Sequence, residues 1–155
     1  MDGAAAVSAL HNMKAFFDKT TSCFEEKDSA FAPNPEMFTV ANHVAHTAQT
    51  VDWFVEGVFG RGFDMDFATH LREVRKVTSL KDARAWWERS MKTATDLLRS
   101  KTKEELAQPL PKDGIMGGAP RHSIVSGLVD HTGHHRGALA VYARLVGKVP
   151  PMPYG

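Results

Sequence analysis

DHTGHHRG, residues 130–137, lies inside a long apolar segment near the C-terminus of the chain. On a helix, His131 and His135 would stand four residues apart, one above the other on a single face. The rest of that face is apolar or aromatic and recurs at steps of three or four: Ile124, Leu128, Leu139, Tyr142 and Val146. Two imidazoles therefore take the place of two hydrophobic residues in a stripe that should face the core.

This histidine pair has two interpretations. A buried imidazole needs partners for both ring nitrogens, because an unpaired buried polar group costs about 1–3 kcal/mol. A divalent cation that takes one nitrogen from each ring would meet that need, and histidine is the commonest metal ligand. The alternative is a pair of core histidines without metal, since the same spacing also arises by chance on amphipathic helices. No glutamate lies between the two histidines, in contrast to the zincin motif, so a metal site needs a third ligand from elsewhere.

The overall composition is that of an ordinary globular protein. The chain has 155 residues, of which 43% are hydrophobic and 24% charged, so we expect residues 1–155 to form a single domain. Its 19 basic and 18 acidic residues give a net charge of +1. Because the basic residues are scattered, we expect no nucleic-acid partner.

Cysteine usage and the N-terminus bear on the compartment. Cys23 is the only cysteine, which excludes a disulfide framework. The N-terminal residues lack the basic start and long apolar core of a signal peptide. No uninterrupted run of about 18 apolar residues is present to cross a membrane. We therefore expect a cytoplasmic protein without a membrane partner.

Four amphipathic segments predict long helices. They run from Ala4 to Phe24, from Val40 to about Val58, from a start at Thr78–Ser79 to Leu98, and from Arg121 or His122 to Val146. Thr39 is the expected N-cap of the second. Residues 61–78 predict a short helix or a wrapped loop, and residues 108–120 a loop rich in proline and glycine. The fold class is therefore all-α, a four-helix bundle, and its connections are too long to assume a simple up-down order.

The third ligand is expected on the second helix. His43 shares a face with Val40, Thr47, Thr50 and Phe54, and this face is polar at its middle, which suits a cavity. His46 lies on the shoulder of the same face and could substitute for His43. His134 points roughly 100° away from the histidine pair. The other three histidines are expected at the surface or in local hydrogen bonds: His11, His70 and His122.

Three stretches together carry a family resemblance. HVAH at residues 43–46, HTGHHRG at 131–137 and YARLVGKVPP at 142–151 resemble the DinB/YfiT-like superfamily over essentially the whole chain. The resemblance implies a four-helix bundle with a long crossover connection and frequent homodimers. It also implies a divalent metal ion held by His43, His131 and His135. The family commonly has glutamine after HHRG, where this chain has Ala138.

The implied ligand set suggests a chemistry. Three neutral imidazoles leave the ion its full charge and an open position, as in catalytic rather than structural sites. Zinc or nickel suits such a set, with manganese or iron as further candidates. Relatives that transfer a low-molecular-weight thiol, such as bacillithiol or mycothiol, to small electrophiles imply a small-molecule thiol substrate.

The sequence is compatible with three functions. The first is a metal-dependent thiol S-transferase or hydrolase, and the second is a non-catalytic, metal-stabilised dimeric bundle. The third is a helical interaction protein whose histidines pack without metal. No general base is identified, because Asp52 and Glu56 are expected on a solvated face and Asp130 points away from the histidine pair.

Overall fold

The computed structural model describes residues 1–154 and is all-helical over that range, apart from a single isolated β-bridge. Its six α-helices are α1 (Gly3–Thr21), α2 (Val40–Phe59), α3 (Phe67–Lys76), α4 (Leu80–Ser100), α5 (Lys103–Ala107) and α6 (Ile124–Leu145). Two single 3-10 turns, Glu26–Asp28 and Arg121–Ser123, precede α2 and α6. The predicted all-α class is confirmed.

The four long helices form the bundle. Around its circumference they follow the order α1, α4, α2, α6, so each long helix packs against two others. Phe17 of α1 meets Trp87 of α4 with ring centroids 4.9 Å apart, and both side chains are almost completely buried. Truncating an aromatic core residue of this kind to alanine costs about 3–5 kcal/mol.

The helix directions reveal the crossover connection. His43 lies beside His135 while Phe54 lies beside Gly127, so α2 and α6 are antiparallel. In contrast, α4 runs in the same direction as α2, because Asn42 near the start of α2 bonds to the Val77 carbonyl just before α4, and Trp86 bonds to Asp52 further along both helices. This parallel arrangement requires the chain to return along the bundle after α2, and α3 provides the return.

Local capping explains where the site-bearing helix α2 begins. Thr39 accepts a hydrogen bond from the backbone N–H of Asn42, and the Asn42 side chain accepts one from the N–H of Thr39. This reciprocal cap satisfies two N–H groups that would otherwise lack partners. The predicted N-cap at Thr39 is confirmed.

Some helix boundaries differ from the predicted ones. Helix α1 ends at Thr21 rather than Phe24, and the Thr21 hydroxyl bonds back to the carbonyl of Phe17 at 2.9 Å. Helix α6 begins at Ile124, because the residues after Pro120 form a 3-10 turn. Both differences lie at helix ends, where competing hydrogen bonds decide between helix and turn. The buried faces are unaffected.

Candidate metal centre

Three histidine nitrogens converge between α2 and α6. The Nε2 atom of His131 lies 3.3 Å from Nε2 of His46 and 3.2 Å from Nε2 of His135. One nitrogen from each of the three rings lies within 4.8 Å of the others, which makes them a candidate metal-binding group. The expected pairing of His131 with His135 across one helical turn therefore exists in the fold.

The helix geometry explains why these three meet. His131 and His135 project from one face of α6, four residues apart. Since α2 runs antiparallel to α6, its residue 46 comes opposite this pair. His135 is buried, whereas His46 and His131 are half-buried, so the cluster has a closed side and an open side.

The separations fit a metal ion. Zn–N bonds of about 2.0–2.1 Å at tetrahedral angles place two ligand nitrogens about 3.3–3.4 Å apart. The two separations from His131 Nε2, 3.2 and 3.3 Å, are close to that value. Without an ion, Nε2 of a neutral His131 can form only one good hydrogen bond, yet the Nε2 atoms of both His46 and His135 lie within 3.3 Å of it. The residues therefore fit a divalent cation.

His43, the ligand that the family resemblance implies, contacts His135 but lies outside the group of three close nitrogens. Its Nδ1 lies 3.0 Å from Nδ1 of His135, on the far side of the His135 ring from the converging Nε2 atoms. The group of three close nitrogens contains His46 in its place. His46 is the alternative that the sequence offered, one helical turn along α2.

Burial keeps these imidazoles neutral. It lowers the pKa of His43 to about 4 and that of His131 to about 4, with a smaller contribution from nearby His46. Burial, followed by the effect of neighbouring His131, lowers the pKa of His135 to about 2. The pKa of His46 is lowered for the same main reason, although the Gln49 side chain partly opposes the change. At neutral pH all four rings therefore keep a lone pair available for an ion.

Two further polar groups accompany the cluster. The hydroxyl Oγ1 of Thr50, which is buried, lies 3.4 Å from Nε2 of His131. The Nδ1 atom of His131 is buried and has no hydrogen-bond partner within residues 1–154. With an ion on Nε2, the proton of a neutral His131 would reside on Nδ1, for which the described residues supply no acceptor.

A cavity lies against the open side. It has a volume of about 400 Å³, and His46, His131 and Thr50 contribute to its wall. Gly127 of α6 also lines it, and a Cβ atom there would lie 3.3 Å from the Phe54 ring. A small molecule can therefore approach the histidine nitrogens from this side.

The remaining histidines are distributed as follows. His134 is exposed and stacks edge-on against the His135 ring, while His11 is exposed on α1. His122 is half-buried in the turn before α6. His70 lies on α3 with Nε2 3.4 Å from the Asp64 carbonyl, and it also lines the cavity. Sequence periodicity missed this last position, because only the return path of α3 brings it to the site.

The fold and the cluster define a class of protein, an all-helical bundle with a three-histidine centre between two antiparallel helices. The sequence pattern of the DinB family matches residues 27–155, and the chain belongs to the DinB family. The chain matches none of the curated proteins with which it was compared. Among residues 1–154, no helix combines the length and the apolar character needed to cross a membrane.

Proposed function

We propose that the protein binds one divalent metal ion through Nε2 of His46, His131 and His135, and uses it to activate a small thiol. The observation that supports this most directly is that two of the three nitrogens lie on half-buried side chains at the wall of a cavity. A purely structural centre would be closed on all sides, whereas a catalytic one keeps a position open. Zinc or nickel suits three neutral imidazoles, with manganese or iron as alternatives.

The ion would supply Lewis acidity, which lowers the pKa of a bound thiol or water. The chain's own residues would bind the ion and orient the histidines that hold it. His43 holds the ring of His135 through the Nδ1 contact, and the Thr50 hydroxyl offers a hydrogen bond beside His131. In the proposed transfer, the thiol proton leaves to solvent and the sulfur forms a bond to an electrophilic carbon. The leaving group departs with its bonding electron pair.

The first test measures the metal. Elemental analysis of the purified protein should give about one divalent ion per chain, because three neutral imidazoles are available. The His131→Ala variant should lose the ion. Wild-type protein that is isolated without metal and fails to take up zinc, nickel, manganese or iron would contradict the proposal.

The second test separates a catalytic from a structural ion. Cobalt-substituted protein is mixed with mercaptoethanol, and its visible and near-ultraviolet spectrum is recorded. A sulfur-to-cobalt charge-transfer band would show that a thiol reaches the open position. Turnover is then followed with chlorodinitrobenzene as the electrophile. A bound cobalt ion with an unchanged spectrum and no turnover would favour the non-catalytic, metal-stabilised bundle.

The non-catalytic bundle remains the second candidate, because the cluster joins only α2 and α6 and one of its rings, His135, is buried. An ion there would tie the two helices together whatever its chemistry. The homodimer and the small thiol substrate remain predictions, and sedimentation measurements and thiol screening test them respectively.

A further inference from the structure

A second cavity adjoins the one at the histidines. Its volume is also about 400 Å³, and three side chains line both cavities: Gln49, Trp53 and His70. Because these three side chains border both cavities, the two cavities are direct neighbours. A molecule that occupied both would be elongated, with one end at the histidines.

Two indole groups shape the second cavity. The Nε1–H of Trp53 donates to the backbone carbonyl of Asp64 at 2.7 Å. The Nε1–H of Trp86 donates to Oδ2 of Asp52, also at 2.7 Å. Both rings and both aspartates contribute to the lining. The two hydrogen bonds fix the indoles, so the cavity is largely preformed.

The charges of the second cavity are unequally compensated. Glu56 pairs with Arg61 at 2.6 Å, and Glu73 pairs with Lys76 at 2.6 Å. Asp64 lies 3.6 Å from His70.

Asp52 is the acidic residue of this cavity that belongs to none of the ion pairs formed within residues 1–154, and Trp86 supplies a neutral donor to it. Asp52 is half-buried, so its charge is only partly screened by water.

Asp52 and the two indoles determine which ligand charge the second cavity prefers. An ammonium group beside Asp52 would gain a carboxylate partner, and a cation in this cavity is also attracted to the face of an indole ring that it reaches. A carboxylate in the same place would meet Asp52 and the indole rings, with the nearest arginine already engaged by Glu56. The second cavity therefore favours a positively charged group and disfavours a negative one.

We propose that the two cavities together hold a thiol that carries a positively charged amino group, with the sulfur at the histidines and the ammonium group beside Asp52. The sulfur end of this assignment rests on the proposed function, whereas the ammonium end rests on the second cavity alone. Thiols that carry several carboxylates are poor ligands on this assignment.

The test uses three thiols that differ only at the far end: aminohexanethiol, mercaptohexanol and mercaptohexanoate. Their binding to zinc-loaded protein at neutral pH is measured by calorimetry. Aminohexanethiol should bind about five- to tenfold more tightly than mercaptohexanol, from one half-buried ion pair and the indole contacts. Mercaptohexanoate should bind most weakly. Equal affinities of the three would overturn the proposal.

A matched pair of variants locates the effect. Asp52→Asn removes the charge while its amide oxygen can still accept from Trp86, so the preference for the amine should disappear while mercaptohexanol binds as before. Glu104→Gln removes one exposed carboxylate outside the cavity and should leave the preference intact. A preference that persists in Asp52→Asn would contradict the assignment to this residue. If Asp52→Asn does not fold, the affinities of the three thiols for the wild-type protein decide whether the proposal holds.

A further comparison separates this inference from the metal proposal. Hexylamine and hexanol, which lack a thiol, are titrated into chelator-treated protein, and quenching of tryptophan fluorescence is followed. A preference for hexylamine without metal would support the second cavity even if the metal proposal failed. Metal-loaded protein that binds all thiols equally would refute only the present inference.

Discussion

The Nδ1 atoms of His43 and His135 lie 3.0 Å apart, while Nε2 of His135 faces Nε2 of His131 at 3.2 Å. A nitrogen that binds an ion carries no proton, so the proton of a neutral His135 would reside on Nδ1. That N–H would donate to His43, whose own proton would then lie on Nε2. In this arrangement His43 orients the ring of His135 through a hydrogen bond at the nitrogen that does not bind the ion.

We predict different effects for the two histidines of α2. His46→Ala should reduce the metal content to near zero, because it removes one of three converging nitrogens. His43→Ala should retain the ion with an affinity lowered about 10–100-fold, the usual effect of losing a group that orients a ligand. Elemental analysis measures the metal content of each variant, and competition with a metal-binding dye measures its affinity.

The control for this comparison is His11→Ala, on the exposed surface of α1, which should leave metal content and affinity unchanged. Loss of the ion in His43→Ala together with its retention in His46→Ala would reverse the assignment. His43 would then be the ligand that the sequence predicted.

Removing the ion should destabilise the bundle. A ligand that binds only the folded state adds about 2.7–4.1 kcal/mol when its free concentration is about 100–1,000 times the Kd. Thermal unfolding should therefore shift to lower temperature when a chelator is added to wild-type protein. The His131→Ala variant, which lacks a ligand, should show no such shift. Identical melting with and without chelator in the wild type would argue for histidines that pack without metal.

Metal-free protein should lose stability as the pH falls. The folded-state pKa values of about 4 for His43 and His131 and about 2 for His135 lie below the unfolded value of 6.5. Well above pH 6.5 neither state binds a proton at these rings. Below it the unfolded chain binds more protons than the folded one, so stability decreases from about pH 6.5 toward pH 4.

Urea unfolding of chelator-treated protein at several pH values tests this expectation. The slope should reach at least about 1.4 kcal/mol per pH unit, the value for one extra proton on the unfolded chain. His135→Gln should show a shallower slope, since the most strongly shifted ring is gone. A wild-type stability that is constant between about pH 7 and pH 5 would refute the burial argument.

Asn42 should be important for stability because it connects α2 to the end of α3. Its Nδ2 donates to the carbonyls of Val74 at 3.1 Å and Val77 at 2.9 Å, and the residue is 5% exposed. Asn42→Ala should cost about 2 kcal/mol, because buried carbonyls lose their donor. Urea unfolding measures the change. The same truncation at exposed Asn12 of α1 should alter stability by less than about 0.5 kcal/mol; equal effects at the two positions would contradict the role assigned to Asn42.

Hydrophobic spacing was sufficient to predict the long helices. The apolar stripe of α6 and the capping residue Thr39 of α2 predicted elements that the fold contains, because both signals are local. Residues 61–78 allowed either a short helix or a loop, and α3 forms there with Asp66 as its N-cap. The helix is only ten residues long and buries only Val74, so its position depends on packing against α2.

The candidate site was predictable to the level of the helices but not of every residue. His131 and His135 follow from spacing within one helix. The choice between His43 and His46 depends on how α2 and α6 are aligned, which no spacing within α2 determines. His70 was expected at the surface or in a local hydrogen bond, and it does contact the nearby Asp64 carbonyl; only the backward path of α3 brings it to the cavity wall.

The return path of α3 also makes one wall of the second cavity a separate part of the chain. The nitrogens that would hold the ion come from α2 and α6, whereas Arg61, Asp64, His70 and Glu73 of the second cavity come from one continuous segment. That segment could be exchanged as a single cassette. Such chimeras would change this wall of the cavity while retaining Asp52 and the original ion-binding residues.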